Sequence, residues 1–429
     1  MEHLQQSEHH HDHHHAQPPK KSALCYFIAR IASAITAKLI FKRHFIRNEI
    51  KGKSGPMVII ANHQCALDFV NLIGATKKRM TFVISESFYS TLPVKGIIKG
   101  MGVIPKQQFQ TGVREVMAMK HAVDRGEILT VYPAGLMCED GSSTPIPETT
   151  YKFLKWLGAD IYVARSYGSY FVMPKWTKGL RRGHTYIDIY KLFSKDELSE
   201  ADEDTVRHRV NNALLFDAYR EQENLKVKYK NGYVIEGLEN VLYKCPHCKS
   251  EFSMKVENQS EIFCEKCGFR HVSDEYGFLH NKSEIGEEMR YPSDWNEMIL
   301  NDLYKEIAED PESATSLSVK FLTVNNEKKR FENAGEGEVQ LDRRHFFVKG
   351  EINGEMRELS IPTATFASLP FSPGKYFELQ HGEEIFRCVP EDPRQVTKFV
   401  NKVKIYHGIA TNHQSWHPHP YDEDLPLNV

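Results

Sequence analysis

The sequence predicts an α/β domain with a mixed sheet and flanking helices, then a four-cysteine ribbon, then a small β-rich C-terminal domain like a pleckstrin-homology barrel. Three observations predict it. Between Met57 and about Tyr190 short apolar runs alternate with helical stretches, the pattern of a sheet covered by helices. Two Cys-x-x-Cys pairs follow, Cys245/Cys248 and Cys264/Cys267. From residue 316 to 390 short strands succeed one another, and one amphipathic helix ends them.

A chain of 429 residues is too long for one ordinary core and fits two or three domains. The predicted divisions are a His-rich tail at 1–22, the α/β domain with an N-terminal helix at 23–235, the ribbon at 240–275, a helix with the β domain at 290–410, and a tail at 411–429. His9 to His11 and His13 to His15 flank Asp12 and read as a disordered tail or a purification tag, since a flexible run fixes no metal geometry.

A net charge of -2 is no bulk signature of nucleic-acid binding, but the charge is uneven. Residues 20–53 carry nine Lys or Arg against Glu49 alone, a basic arm suited to phospholipid headgroups. Within it, Leu24, Phe27, Ile28, Ile31 and Ile35 share one helical face. Arg30 and Lys38 would each cost about 2.5–3.5 kcal/mol near a bilayer centre, so a helix lying in the interface fits better than one that spans. The alternative is a helix packed on its own domain. No secretory signal is expected, because the first apolar segment starts near Ala23 without a small-residue cleavage site after it. Of eight cysteines, Cys25, Cys65, Cys138 and Cys388 lack framework spacing, which points to a reducing compartment. The expected location is cytoplasmic, peripheral on the inner face of the membrane.

The elements read in order as MVIIA, a helix from Asp68 to Gly74, TFVIS, a helix rich in Lys and Gly, GVIP, a helix from Val113 to Arg125, ILTVYP and DIYVAR. Residues 200–235 read as charged helix. Trp295, Met298, Ile299, Leu303 and Ile307 then recur at helical spacing behind a Ser293 cap. The strands beyond 316 are broken by Gly354 and a Ser372–Gly374 turn, and the last helix carries Val396, Phe399, Val400, Val403 and Tyr406 on one side.

The apolar strand VIIA runs into Asn62-His63-Gln64-Cys65-Ala66-Leu67-Asp68. With His63 in the turn and Asp68 opening the next helix, the carboxylate can fold back onto one imidazole nitrogen, leaving the other to take a proton from a hydroxyl. An ester-forming enzyme needs this, because an alcohol at neutral pH is a poor nucleophile until a positioned base removes its proton. A His-x4-Asp spacing alone is weak evidence; the strand before it and Val131-Tyr132-Pro133-Ala134-Gly135 at another strand end strengthen it.

From about Lys51 to Tyr190 the chain resembles the lysophosphatidate-acyltransferase-like family of glycerolipid acyltransferases. Asn62-His63-Gln64 with Asp68 resembles the catalytic block, Gly102-Val103-Ile104-Pro105 the second, Tyr132-Pro133-Ala134-Gly135 the third and Val172-Met173-Pro174 the fourth. The resemblance implies His63 as general base, Asp68 as its orienting partner, acyl-CoA or acyl carrier protein as donor and a lysophospholipid hydroxyl as acceptor, with Asn62, Pro133 and Gly135 at the substrate. Two positions depart from the pattern. Ala134 stands where the family has Glu, with Leu136-Met137-Cys138 after it in place of Thr-Arg, and Gln108 stands at an Arg position. Those groups ordinarily hold the acceptor's phosphate, for which an Arg fork is suited. Lys106, Arg165, Lys175, Arg181 and Arg182 are the candidates to bind it another way. The alternative to catalysis is a lipid- or protein-binding scaffold that keeps the fold.

Cys245 and Cys248, fifteen residues, then Cys264 and Cys267 offer four thiolates in two knuckles, the arrangement for tetrahedral zinc. Gly268 can supply the positive φ such a turn needs. Four sulfur ligands leave no open coordination position, so the expected zinc is structural, with His247 and His271 as bystanders. Lys249, Lys255 and Lys266 are balanced by Glu251, Glu257, Glu261 and Glu265, so nucleic acid is not the expected partner of this ribbon.

Overall fold

The MVIIA segment becomes a strand buried at all five residues, as expected of a central parallel strand covered on both faces. A computed structural model describes residues 21–91, 94–108, 112–177, 179–229, 232–325, 328, 330–382 and 384–411. The two ends, with the histidine run and the 411–429 tail beyond Thr411, lie outside the described residues.

The first part runs α1 (Ala23–Leu39), β1 (Arg43–Asn48), β2 (Met57–Ala61), α2 (Asp68–Ile73), β3 (Met80–Ser85), α3 (Glu86–Thr91), α4 (Lys95–Gly100) and β4 (Ile104–Lys106). It continues with α5 (Val113–Asp124), β5 (Ile128–Val131), α6 (Thr149–Leu157), β6 (Asp160–Tyr167), α7 (Ser169–Val172), β7 (Thr185–Phe193), α8 (Lys195–Glu200), α9 (Glu203–Leu214) and α10 (Ala218–Leu225). The strands form one mixed sheet in the order β1-β7-β6-β2-β5-β3-β4. Only β6 and β7 pair antiparallel; the run β6-β2-β5-β3-β4 is parallel throughout. The carboxyl ends of β2, β4 and β5 therefore open on one edge, where the crevice of such a sheet lies.

Helix α1 packs the other way round from a surface helix of a globular domain. Its buried stripe is Tyr26, Ala29, Ser33 and Ala37. Small residues bring it close, and polar atoms tie it down: the Tyr26 hydroxyl accepts from the Met80 amide at 2.8 Å, and the Ser33 hydroxyl donates to the Val70 carbonyl at 2.6 Å. The apolar stripe faces outward, with Leu24 67%, Phe27 61%, Ile31 46% and Ile35 53% exposed.

The cysteine segment forms a four-stranded antiparallel meander of β8 (Met254–Glu257), β9 (Glu261–Cys264), β10 (Arg270–Ser273) and β11 (Leu279–Asn281). Then α11 (Pro292–Glu309) begins. Ser293 is not its cap, contrary to expectation: Pro292 occupies the first turn behind Tyr291, and the Ser293 hydroxyl donates to Asp217 at 2.7 Å. Trp295 of α11 is wholly buried, donates its indole N–H to the Lys244 carbonyl at 2.8 Å and meets Phe269 edge to face. One apolar cluster joins Tyr170, Phe171 and Trp176 to Tyr243, Phe269 and Trp295, so the meander and the α/β part share a core. Trp295→Ala is expected to lower unfolding free energy by about 3–5 kcal/mol, read from the denaturant midpoint.

The last part is an antiparallel sheet in the order β15-β14-β13-β12-β18-β17-β16. Its strands are β12 (Thr315–Asn325), β13 (Arg330–Leu341), β14 (His345–Ile352), β15 (Glu355–Pro362), β16 (Phe371–Ser372), β17 (Tyr376–His381) and β18 (Glu384–Pro390), and α12 (Val396–Thr411) follows. All five predicted apolar positions of α12 are buried, and Phe399 stacks on Phe377.

Candidate active site

Beyond the end of β2, the Asn62 side chain extends the pairing with β6. Its amide donates to the Ser166 carbonyl and its oxygen accepts from the Ser166 amide, both at 2.8 Å. The next residue, His63, is thereby held at the carboxyl edge of the sheet. Asp68 opens α2 and turns back on that segment. One carboxylate oxygen accepts from the Gln64 amide at 2.7 Å and the Cys65 amide at 2.9 Å and stands 3.0 Å from His63 Nδ1. The other accepts from the Cys65 thiol at 3.3 Å. Asp68 is buried while the His63 side chain keeps 21% exposure. A carboxylate facing Nδ1 holds the proton there and leaves Nε2 as the basic nitrogen.

Two further contacts fix the imidazole. Tyr132, just past β5, stacks on it with centroids 4.4 Å apart, and the Cys138 amide donates to the His63 carbonyl at 3.1 Å. The Tyr132 hydroxyl is buried without a hydrogen-bond partner; burial, with the Asp68 charge added, pushes its pKa well above the usual range. Gly135 closes the Tyr132–Gly135 turn, donating to the Tyr132 carbonyl at 3.0 Å with φ +70°. Gln108, standing at the family's Arg position, donates to the Gly135 carbonyl at 2.7 Å.

His63, Lys106, Pro133, Gly135 and Lys175 line a common cleft of about 1330 Å³. Its apolar lining includes Phe69, Val83, Ile84, Val116, Met119 and Phe153. Four expected residues, Asn62, Arg165, Arg181 and Arg182, do not line it. Asn62 is occupied in the rung to Ser166, and Arg165 is drawn to a buried counterion, Glu221, at 2.9 Å. Burial lifts Glu221 to about 7 against the pull of Arg165. Arg181 is likewise spent on the Val234 carbonyl and the Tyr233 ring. Sequence reasoning passed over the Cys65 thiol and the Tyr132 hydroxyl, though both lie inside the quoted blocks. Phe371 and Lys404, which line the cleft from β16 and α12, leave no local signal.

At the ribbon, the Sγ atoms of Cys245, Cys248, Cys264 and Cys267 all lie within 4.8 Å of one another. Two pairs, Cys245 with Cys267 and Cys248 with Cys264, stand 3.7 Å apart. Tetrahedral sulfur ligands at a Zn–S distance of about 2.3 Å would be about 3.8 Å apart, so the cluster fits a metal ion of that size. The two knuckles match: Lys249 donates to the Cys245 carbonyl and Gly268 to the Cys264 carbonyl, each at 3.0 Å. Both residues have positive φ, +61° and +80°.

The site is thus a histidine–aspartate pair at the carboxyl edge of a mixed α/β sheet. Residues 42–167 match the model of the Acyltransferase family, and the chain carries a domain of that family there. Among solved structures, the 1-acyl-sn-glycerophosphate (LPA) acyltransferase PlsC from Thermotoga maritima aligns at 16% identity over 47% of this chain and 79% of its own, with a TM-score of 0.40. The Ran binding domain of the nuclear complex component Nup2 from Ashbya gossypii aligns at 14% identity over 25% of this chain and 100% of its own, with a TM-score of 0.18. No curated protein matches the chain.

Proposed function

We propose that the protein transfers a fatty acyl group from acyl-CoA or acyl carrier protein to the hydroxyl of a lysophospholipid, in phospholipid synthesis or remodelling. The observation that carries this reading is the His63–Asp68 pair, 3.0 Å apart, at a cleft whose lining includes apolar side chains suited to an acyl chain. His63 Nε2 takes the acceptor's hydroxyl proton as the oxygen attacks the thioester carbonyl. The tetrahedral intermediate then expels the thiolate, which receives that proton from the imidazolium. The unpartnered Tyr132 hydroxyl beside the imidazole supports a role in donating to the oxyanion, a charge that a preorganised donor must meet. The Gly135 amide is committed to its own turn.

Incubating the full chain with each donor and a panel of lysophospholipids tests the reading by mass spectrometry. Acylated product is expected. No product with any pair would favour a scaffold that keeps the acyltransferase fold.

The ion in the four-cysteine cluster is best read as structural zinc, since four sulfurs leave it no position for substrate. Membrane contact belongs to α1. Among the described residues no helix is long and apolar enough to cross a membrane, and the outward stripe of α1 beside basic side chains suits the interface of an anionic bilayer. This supports a peripheral place on the cytoplasmic face. Changing both Phe27 and Ile31 to Glu should weaken co-sedimentation with anionic vesicles roughly tenfold or more; unchanged partitioning would remove α1 from the contact.

A further inference from the structure

The cleft continues past the catalytic part to the C-terminal domain, and most of its charges are already paired. Arg387 meets Glu378 at 2.7 Å, Lys404 meets Glu139 at 2.9 Å, and Arg220 meets Asp217 and Asp294 at 2.8 and 2.9 Å. Asp140 accepts from the Ser142 hydroxyl and the Asn296 amide, each at 2.8 Å. Lys175, after α7, differs from these. Its Nζ is buried without a hydrogen-bond partner and lies 3.5 Å from the ring centroid of Phe371 in β16. Lys404 of α12 approaches the same ring at 5.5 Å. An ammonium carries three N–H donors, and a ring face supplies none of the acceptor oxygens they require. Burial pulls Lys175 down to about 7, with Glu139 opposing the fall and Lys404 adding to it.

Lys175 lines the same cleft as His63. The amide of Cys138 holds the His63 carbonyl, and the Cys138 thiol feels both the Asp68 and the Lys175 charge. A phosphate on Lys175 would thus lie in the same cleft as the imidazole. The cleft lacks the Arg groups that the sequence comparison leads one to expect there.

We propose that Lys175, roofed by Phe371, binds the phosphate of the acceptor while its glycerol hydroxyl meets His63, so that the C-terminal domain forms one wall of the acceptor site. This rests on the acyl-transfer reading of the same cleft. It gives the C-terminal domain a role in selecting a phosphate-bearing acceptor and replaces a bidentate fork with a point charge.

The test measures equilibrium binding of lysophosphatidate, of monoacylglycerol with the same chain, and of CoA to the full-length protein. Acyl transfer to each lipid is followed alongside. In Lys175→Met the preference for lysophosphatidate over monoacylglycerol should fall by about tenfold to a hundredfold, the loss of a charge-assisted bond. Lys175→Arg should restore part of it. Phe371→Leu, which keeps an apolar side chain but removes the ring face, should reduce the preference several-fold in protein whose melting curve shows that it remains folded. Equal loss for both lipids, or a loss confined to CoA, would overturn the proposal. Acyl transfer indifferent to Lys175 would overturn it too while leaving the catalytic reading in place. Lysophosphatidate binding that depends on Lys175, without transfer to any acceptor, would keep the anion site and remove the catalytic reading.

Discussion

Stripping the metal from Cys245, Cys248, Cys264 and Cys267 is expected to unfold far more than the ribbon. Strands β8 to β11 are only three or four residues long, too short to hold together without a staple. Structural zinc supplies roughly 10–16 kcal/mol of apparent binding energy in small zinc folds, as much as a whole domain's usual stability of about 5–15 kcal/mol. Because Tyr170, Phe171 and Trp176 lie in the same cluster as Phe269 and Trp295, loosening the knuckles disturbs the core that the ribbon shares with the α/β part as well. Chelation, or Cys264→Ser, should lower the melting temperature steeply, open residues 245–290 to protease and abolish transfer. Elemental analysis should find one zinc per chain. A metal-free protein with an unchanged melting curve would refute this.

The second large effect is on rate alone. His63→Ala should lower kcat by about 10²–10⁴-fold, the range for removing a positioned general base, with little change in KM. Stability should hold because Asp68 keeps its bonds to the Gln64 and Cys65 amides and the Cys65 thiol, so the turn remains closed. Asp68→Asn should also lower kcat, since an amide can donate toward Nδ1 and favour the wrong tautomer. Assays of the purified variants with melting curves separate a chemical defect from a folding one.

The features legible in the sequence are those with short-range causes. The five apolar residues of β2, the turn that brings His63 to Asp68, the knuckle glycine and the buried side of α12 each follow from spacing within a few residues. The direction of α1 did not follow. Periodicity locates an apolar stripe but not the partner. Here Ala29, Ser33 and Ala37 let the helix approach α2, leaving Phe27 and Ile31 outside. Arg165 reads as a free cation because its counterion, Glu221, stands in a stretch read only as charged helix. The meeting of Lys175 with Phe371 has no trace in local pattern, since it exists only once two separately patterned parts have packed.

The central claim is that His63 performs chemistry rather than shaping the cleft. Its most direct test measures two quantities on the same His63→Ala protein: affinity for a non-reactive thioether analogue of acyl-CoA, and labelled product formed from acyl-CoA and lysophospholipid. The account predicts affinity within about twofold of wild type with product lost on the scale given above. Product at the wild-type rate, with the analogue still bound, would contradict it.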